Sequence, residues 1–410
     1  DPLLRTGQTV IVSGVDSTFN GTVKIKSYSS TDGIYTFSYD KVGAPVSSTS
    51  ASGSVETGFG SGTVVVGQIF SSQKFSDLYT YTGNDLGNTY TQAKTDFRVW
   101  APTATSVSLV TYGNAFNQPS ITTDGTVIPM TQSEKGTWIG SLSGDQHGTI
   151  YQYRVVVGGE THNTIDPYAR SAMANGRMGV VLDLTKTNPS GWNNVKPAFS
   201  GRAVDASVYE VHVRDMSMDA NSGIADNLKG KYLGMSKLNT SYTTKVGTKS
   251  VTTKTGLSAI KELGVTHVQL QPVYDFNSVD ETGVGPQFNW GYDPQNYNIP
   301  EGSYSSNAND PIARVKELKT LVQTYHNNGL RVLMDVVYPH VGSAVDFSQQ
   351  QIVPGYFYRT ETSGELANGS GCGNEIASER PMVRKFIVDS LKYWTSEYHM
   401  DGLSLIHISE

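Results

Sequence analysis

The segment DPIARVKELKTLVQTYHNNGLRVLMDVVYPHV, residues 310–341, joins the pattern of an amphipathic helix to that of a buried strand. Asp310 and Pro311 are typical of an N-cap and a first helical turn. Apolar residues then recur at the spacing of one helix face: Ile312, Val315, Leu318, Val322 and Tyr325. Gly329 ends the helix, and the run LRVLMDVV has the continuous apolar character of a strand buried on both faces. The segment therefore predicts one helix-strand unit.

The same alternation continues on both sides of this segment. ASVYEVHV (206–213) and VTHVQLQPV (265–273) are strand-like, and TGLSAIKELG (255–264) is a helix pattern that closes on a glycine. Further along, Ser378 and Pro381 open another helix pattern, and DGLSLI (401–406) begins a fourth strand. Because strands that alternate with helices pair in parallel through crossovers, residues 199–410 predict a parallel α/β domain.

Two parallel architectures fit this alternation, a doubly wound sheet and a (β/α)8 barrel. A dinucleotide-binding sheet would carry a glycine-rich turn after its first strand, and none follows here. Long polar and aromatic inserts at 219–253 and 275–309 suit the loops that build a substrate cleft on a barrel. We therefore predict strands 1–4, the first half, of a (β/α)8 TIM barrel.

The N-terminal part of the chain has a different pattern. Residues 1–72 contain short β-branched and aromatic runs and predict a small β-rich domain. Residues 73–198 show strand-like runs about every ten residues with turn signals between them, which predicts a β-sandwich. The predicted fold is thus multidomain, with all-β domains followed by a partial barrel.

Composition excludes several classes of function. A net charge of −6 argues against a nucleic-acid partner. The sequence contains no run of 18 apolar residues, the pattern that would predict a membrane span. The single cysteine, Cys372, excludes an internal disulfide, and its Gly- and Asn-rich loop shows no base that would make it a nucleophile. The abundant Ser, Thr and Tyr and the absent initiating Met favour a mature extracellular or wall-associated protein, with a cytoplasmic location left open.

Three motifs carry a family resemblance. YEVHVRDMS (209–217), FNWGYDPQNYNIPEGSYS (288–305) and DVVYPHV (335–341) resemble the α-amylase family of glycoside hydrolases, and within it the type I pullulanases. Residues 353–402 resemble that subfamily throughout. FRVWAPTATSVSLVTYG (97–113) resembles the carbohydrate-binding N-terminal sandwich of isoamylases and pullulanases. The resemblance implies an α-glucan partner such as pullulan, amylopectin or glycogen.

The resemblance also implies which residues bind the sugar. Tyr292 would stack beneath the sugar at the cleavage point, and His340 would hydrogen-bond one of its hydroxyls. Asp335 would organise the barrel floor, and Trp290 and Asn289 would shape the cleft. Taken alone, a tyrosine in an aromatic loop or a histidine at a strand end is more often structural, so these roles depend on the motif context.

The resemblance further implies that catalytic groups are missing. Retaining hydrolysis of a glycosidic bond uses two carboxylates about 5 Å apart. The family nucleophile follows Asp-Gly-Phe-Arg-Phe at the fourth strand; here Asp401 and Gly402 fit, but Ser404 replaces the arginine and Ile406 the nucleophile. The acid/base glutamate belongs after a fifth strand. We therefore assign no catalytic residue, expect the chain to be inactive, and expect LSLIHISE (403–410) to be a foreign end on a truncated sequence.

Two further points stay open at the level of sequence. Pro339 stands where the subfamily has an asparagine that in some relatives supports calcium, so no metal ligand is assigned and Ca2+ is expected, if at all, elsewhere. The alternative functions are a non-catalytic α-glucan-binding protein and another member of the α-amylase family, such as an amylase, isoamylase or branching enzyme.

Overall fold

The structure is a computed structural model that describes residues 6–15, 19–31, 34–40, 52–57, 60–65, 69–117, 121, 124–283, 287–361 and 364–405. Ile406, which stands at the predicted position of the nucleophile, lies outside the described residues. The rest of LSLIHISE from residue 407 onward lies outside them as well.

The N-terminal region forms antiparallel strands: β1 (Thr9–Ser13), β2 (Gly21–Lys24), β3 (Ser27–Thr31), β4 (Ile34–Ser38), β5 (Ser52–Thr57) and β6 (Gly60–Val65). One sheet has the order β2-β1-β5-β6, and β3 pairs with β4. A small separate core of Val10, Val12, Val23 and Ile25 packs behind the first two strands. The region is β-rich as predicted, and its boundary at residue 72 stays a prediction.

The next region is the β-sandwich. It contains α1 (Gln73–Tyr79), β7 (Gly87–Tyr90), β8 (Lys94–Trp100), β9 (Ser106–Asn114), β10 (Thr126–Pro129), β11 (Thr131–Gln132), β12 (Thr137–Ser143), β13 (Thr149–Val157), β14 (Glu160–Thr164) and β15 (Gly179–Val180). One sheet has the order β10-β9-β13-β14 with β15 on β13, and the other has the order β11-β12-β8-β7. Phe97 of β8 packs edge-on against Tyr151 of β13, with ring centroids 5.1 Å apart. The predicted sandwich is confirmed.

The C-terminal region is the parallel α/β domain. Its elements are β16 (Val208–Val211), α2 (Asp215–Met218), α3 (Tyr232–Met235), β17 (Ser241–Val246), β18 (Lys249–Lys254), α4 (Gly256–Leu263), β19 (His267–Leu270), β20 (Tyr274–Phe276), β21 (Pro294–Pro300), α5 (Pro311–Asn327), β22 (Arg331–Val336), α6 (Ser348–Ile352), α7 (Pro381–Glu397) and β23 (Gly402–Leu405). The parallel sheet has the order β16-β19-β22-β23. Because the strands neighbour one another in chain order, every crossover moves in the same direction, as in a barrel and unlike a doubly wound sheet.

Local signals explain where the long helices begin. The Asp310 side chain accepts a hydrogen bond from the Ile312 amide, and Pro311 is the first residue of α5, as predicted. Helix α7 begins at Pro381, but its N-cap is Arg380, so the prediction that Ser378 opens it is wrong by two residues. Single-turn 3-10 segments occur at Ile69–Ser71, Glu134–Gly136, Ala174–Gly176, Leu184–Thr187, Ala203–Asp205 and Asp226–Leu228. Among the described helices, none combines the length and apolar composition that crossing a bilayer requires.

Helix α5 fixes the sandwich against the barrel strands through buried polar contacts. Ser171 Oγ of the sandwich donates to the Pro311 carbonyl at the start of the helix, at 2.7 Å. Near its middle, Lys319 is fully buried and donates to Thr187 Oγ1 at 2.9 Å and to Asn188 Oδ1 at 2.7 Å. The same ammonium also pairs with Glu397 of α7. A buried ammonium needs this degree of pairing. Its contacts therefore hold the segment around Thr187 and Asn188, which follows β15, against α5 and α7.

A second contact joins the sandwich to the loop after β20. The Asn175 amide donates to Glu281 Oε2 at 2.7 Å, and the Glu281 amide donates to Asn175 Oδ1 at 2.8 Å. Gly176 has φ +63°, and a Cβ atom there would lie 2.2 Å from Asp275 Oδ2. Only glycine allows this backbone to approach the carboxylate so closely.

Candidate functional site

One face of the parallel sheet carries polar side chains and the other carries mainly apolar ones. Side chains alternate along a strand, and the register pairs Glu210 of β16 with Gln269 of β19, and Asp335 of β22 with Ser404 of β23. The Glu210 carboxylate accepts hydrogen bonds from Gln269 Nε2 at 3.1 Å and Gln271 Nε2 at 3.2 Å. We call this side, with Glu210, Gln269, Gln271, Asp335 and Ser404, the polar face. On the opposite face Val268, Leu270, Val332 and Met334 are fully buried, whereas Tyr209 and Leu405 at the two edges are partly exposed.

Tyr292 is anchored to the polar face by its hydroxyl group. It lies within the FNWGYDP loop just before β21, and its hydroxyl donates to Asp335 Oδ2 at 2.9 Å. Burial and the neighbouring Asp335 carboxylate raise the pKa of Tyr292 above its usual value of 10.0. The phenol therefore stays protonated near neutral pH and remains a hydrogen-bond donor. Asp335, fully buried, holds the tyrosine ring in place from below.

His340 lies next to Tyr292, as the motifs predict. Its Nε2 atom lies 2.7 Å from the Tyr292 carbonyl oxygen, and its own carbonyl accepts from the Tyr297 hydroxyl at 2.7 Å. The imidazole is only 5% exposed. In this geometry His340 fixes the backbone of Tyr292, and its predicted bond to a sugar hydroxyl stays a prediction.

Asn289 and Trp290 occupy the turn before Tyr292 and have different surroundings. The Asn289 side chain donates to the Asn277 carbonyl and to Asp293 Oδ1, both at 2.7 Å, and accepts from the Gly291 amide at 2.7 Å. Its amide is thus committed to the loop, which agrees with a shaping role. Trp290 is 63% exposed and presents its indole to solvent.

Of the five predicted site residues, Asn289, Trp290 and Tyr292 line one open depression on the surface, whereas Asp335 and His340 are buried and do not line it. Its walls are Ser278, Phe288, Asn289, Trp290, Tyr292 and Asp293. Aromatic faces mixed with carboxylate, amide and hydroxyl groups are what a sugar requires, because a glucose ring has apolar faces and a rim of hydroxyls. The depression has the chemistry to bind a carbohydrate by stacking and hydrogen bonding.

Two segments of the chain match models of known protein families. Residues 85–169 match the family model of carbohydrate-binding module 48, the isoamylase N-terminal domain, and residues 239–359 match that of the α-amylase catalytic domain. The chain is 42% identical to the pullulanase of Bacillus subtilis (strain 168) over 337 residues, which are 82% of this chain and 44% of that protein. The chain belongs to the pullulanases of the α-amylase family.

Solved structures agree with this assignment. A pullulanase from Paenibacillus barengoltzii superposes with a TM-score of 0.75 at 44% identity, over 82% of this chain and 50% of that one. The pullulanase from Anoxybacillus sp. LM18-11 superposes with a TM-score of 0.78 at 38% identity, over 99% of this chain and 55% of that one. The chain therefore spans about half the length of the relatives that it matches.

Three residues of the depression and the polar face are not among those predicted from the sequence. Phe288 and Asp293 line the depression, and both lie in the FNWGYDP motif that also contains Tyr292. Glu210 was also missed, and the strand alternation in YEVHV places it on the polar face. Burial raises the pKa of the Asp293 carboxyl, while hydrogen bonds from Asn289 and Ser278 oppose that shift.

A cluster of three acids is the candidate for a metal site within the described ranges. Asp275, Glu281 and Glu301 bring carboxylate oxygens within 4.8 Å of one another. However, the fully buried Arg314 donates to both oxygens of Glu281, at 3.0 and 2.6 Å, and lies 3.8 Å from Asp275. The guanidinium already supplies the positive charge that an ion would bring, so this cluster does not fit the calcium ion left open by the sequence.

Proposed function

We propose that this chain forms the α-glucan-binding part of a debranching enzyme that hydrolyses α-1,6-glucosidic bonds in pullulan, amylopectin or glycogen by a retaining mechanism. The observation that carries the proposal is the Tyr292 ring, held by Asp335 and His340 at the wall of an open depression in the motif shared with pullulanases. The P. barengoltzii relative was solved with maltohexaose and α-cyclodextrin, which supports an α-glucan ligand.

The residues of this chain would act by binding and orientation. The Tyr292 ring would stack on a glucosyl face, because its hydroxyl is directed away toward Asp335. Asp335 would stay fixed beneath the ring, and Asn289 would hold the loop that carries it. Hydroxyls of the sugar would bond to the polar groups that line the same depression, among them Asp293 and Ser278. These contacts would place the reacting sugar for the acidic groups of the whole enzyme.

A second candidate function is binding of α-glucan without hydrolysis. Ser404 is the register partner of Asp335, at the position where the family resemblance implies an arginine that orients the nucleophile. A serine hydroxyl cannot supply that guanidinium. This observation favours a chain that holds the glucan and does not cleave it.

Affinity electrophoresis in gels with pullulan, combined with a reducing-sugar assay, tests both functions. We expect pullulan to retard the 410-residue chain with no release of reducing ends. Tyr292→Ala should be retarded less than the parent chain. Tyr242→Ala, which removes an exposed tyrosine on β17, should be retarded as much as the parent chain. Release of reducing ends by the parent chain would contradict the predicted inactivity, and equal retardation of both variants would contradict the assigned site.

A further inference from the structure

The turn that carries Tyr292 is held by residues just beyond the ends of three neighbouring parallel strands, β16, β19 and β22. Gly291 has φ +90°, and a Cβ atom there would lie 2.8 Å from the carbonyl oxygen of Pro272, which follows β19. His340, after β22, bonds to the Tyr292 carbonyl through Nε2. The third contact comes from His212, which directly follows β16. The proposed function assigns no role to His212.

His212 bonds to the main chain three residues before Tyr292. Its Nε2 atom lies 2.8 Å from the Asn289 carbonyl oxygen and 2.9 Å from the Tyr304 hydroxyl. The residue is only 7% exposed. The two histidines, His212 and His340, therefore hold main-chain carbonyls at positions 289 and 292, one at each end of the turn.

The surroundings of the second ring nitrogen decide where His212 carries its proton. Burial outweighs the hydrogen bond to Asn289 and lowers the pKa of His212, so the imidazole is neutral near pH 7. The Asp215 amide donates to Nδ1 at 3.4 Å, which makes Nδ1 the acceptor. The proton of the neutral ring is therefore on Nε2, and this N–H donates to the Asn289 carbonyl.

The Asn289 carbonyl is an effective point at which to hold the turn. The Asn289 side chain is already bonded to Asp293 and to the Gly291 amide, so only the main-chain carbonyl is left to be fixed from outside the loop. A glycine within the turn widens the range of conformations that the backbone can adopt. The contact of the Tyr292 hydroxyl with Asp335 thus depends on bonds that restrict the backbone at both ends.

We propose that His212 is a positioning residue of the sugar site, which acts through the Asn289 carbonyl to set where the Tyr292 ring lies. This proposal rests on the proposed function. His212 is not among the residues that line the depression, so its effect on a bound glucan passes through the turn. A histidine that only filled space would be replaced by phenylalanine without loss of binding.

Calorimetric titration of the 410-residue chain with maltohexaose tests this role with matched variants. His212→Phe keeps a planar ring and its packing against Phe288, now at 5.1 Å, but removes the N–H donor. It should weaken binding about three- to tenfold, the loss expected for one hydrogen bond. His212→Gln, whose side-chain amide reaches the place of Nε2, should recover most of that loss. Tyr304→Phe removes the other partner of Nε2 and should bind like the parent chain.

A double-mutant cycle shows whether His212 acts through Tyr292. In the Tyr292→Ala background the ring is absent, so adding His212→Phe should change the affinity for maltohexaose by less than about twofold. A general loss of packing would instead weaken binding by the same factor in both backgrounds. That result would overturn the positioning role.

Hydrogen exchange without sugar gives a reading that does not depend on affinity. Amide exchange in the peptide 288–293, followed by mass spectrometry, should be at least about threefold faster in His212→Phe than in the parent chain, because one end of the turn is released. Exchange in β13 of the sandwich should be unchanged in the same sample. Either faster exchange throughout the chain or unchanged exchange at 288–293 would overturn the proposal.

The outcomes separate this proposal from the proposed function. If Tyr292→Ala loses affinity while His212→Phe binds as the parent does, the positioning role is wrong and the proposed function stands. If His212→Phe loses affinity while Tyr292→Ala does not, the effect does not pass through the Tyr292 ring and the proposal is wrong. If the parent chain does not bind maltohexaose, the proposed function is wrong and the positioning role falls with it.

Discussion

A single carboxylate, Asp335, and a cluster of three carboxylates, Asp275, Glu281 and Glu301, have contrasting surroundings. Asp335 on the polar face meets a tyrosine hydroxyl at the wall of an open depression. Asp275, Glu281 and Glu301 are sealed beneath the sandwich and share one guanidinium, that of Arg314. Asp335 supports a residue of the depression wall, whereas the three-acid cluster supports the contact between the sandwich and the loop after β20.

The comparison teaches that the most strongly shifted carboxyl groups lie away from the depression. Burial, followed by the Glu281 charge, raises the pKa of Glu301 to about 8, and burial with neighbouring carboxylates also raises the pKa of Asp275 well above its usual value. Burial raises the pKa of Glu281 as well, but Arg314 outweighs it, so the net shift is downward. Shifted carboxyl groups often mark active sites, yet structural ion networks produce the same signal. None of these three acids lines the depression.

The largest expected effect is a loss of stability when the buried acid cluster loses its arginine. Arg314→Met leaves a buried carboxylate cluster without its cation, and it should lower the free energy of unfolding by about 3–5 kcal/mol. Urea unfolding followed by circular dichroism measures this loss. Arg202→Met, which removes an exposed arginine, should change it by less than about 0.5 kcal/mol. Equal stability of the two variants would show that the cluster does not hold the domains together.

Lys319 provides a second test on the same helix. Lys319→Met removes the buried ammonium between Thr187, Asn188 and Glu397, and should cost about 2–3 kcal/mol, less than Arg314→Met because Glu397 is partly exposed. Lys316→Met, on the exposed side of α5, is the matched control and should be nearly neutral. A loss of stability in both lysine variants would point to helix propensity and not to the contact.

The acid cluster also predicts how stability varies with pH. The pKa of Glu301 is raised from 4.5 to about 8 in the folded protein, so the folded state binds this proton more tightly than the unfolded chain. The contribution of this protonated carboxyl group to the free energy of unfolding is fully present below about pH 4.5 and is lost as the pH rises through about 8. Between about pH 6 and pH 7 the loss is at most about 1.4 kcal/mol per proton.

The variant Glu301→Gln tests this pH dependence of stability, because it removes the titrating carboxyl group. Urea unfolding over that pH range should show a flatter slope for Glu301→Gln than for the parent chain. Glu361→Gln, in a loop distant in sequence from the cluster, should keep the parental slope. A parental slope in Glu301→Gln would mean that another group binds the proton.

The smallest expected effect lies on the polar face. Tyr292→Phe loses the hydrogen bond to Asp335 and should reduce the free energy of unfolding by about 1 kcal/mol. Because the ring remains, binding of maltohexaose should change less than it does in Tyr292→Ala. Parallel unfolding and calorimetry of the two variants check this order. Loss of binding in Tyr292→Phe equal to that in Tyr292→Ala would assign the contact to the hydroxyl and not to the ring.

The sequence predicts the local features well and the long-range ones poorly. The cap at Asp310 and the glycine after α4 have local causes, so the starts and ends of these helices follow from a few residues. The register that sets Ser404 beside Asp335 follows from strand alternation once the strands are found. The depression beside Tyr292 is also local, because most of its lining residues belong to the single loop FNWGYDP.

The contact between domains had no such local signal. Glu281 lies in a polar loop that resembles any solvated turn, and its partners Asn175 and Arg314 are 106 and 33 residues away. The burial of Arg314 and Lys319 depends on two domains meeting, which no periodicity encodes. Phe288 was missed for a different reason, since exposure cannot be told from core packing in an aromatic-rich loop.

The most direct test of the central claim is a crystal structure of the 410-residue chain with maltohexaose. We predict electron density for a glucosyl ring in van der Waals contact with Tyr292, while the Arg314 cluster holds no ligand. Sugar density found on the sandwich alone, with the depression at Tyr292 filled by solvent, would contradict the account.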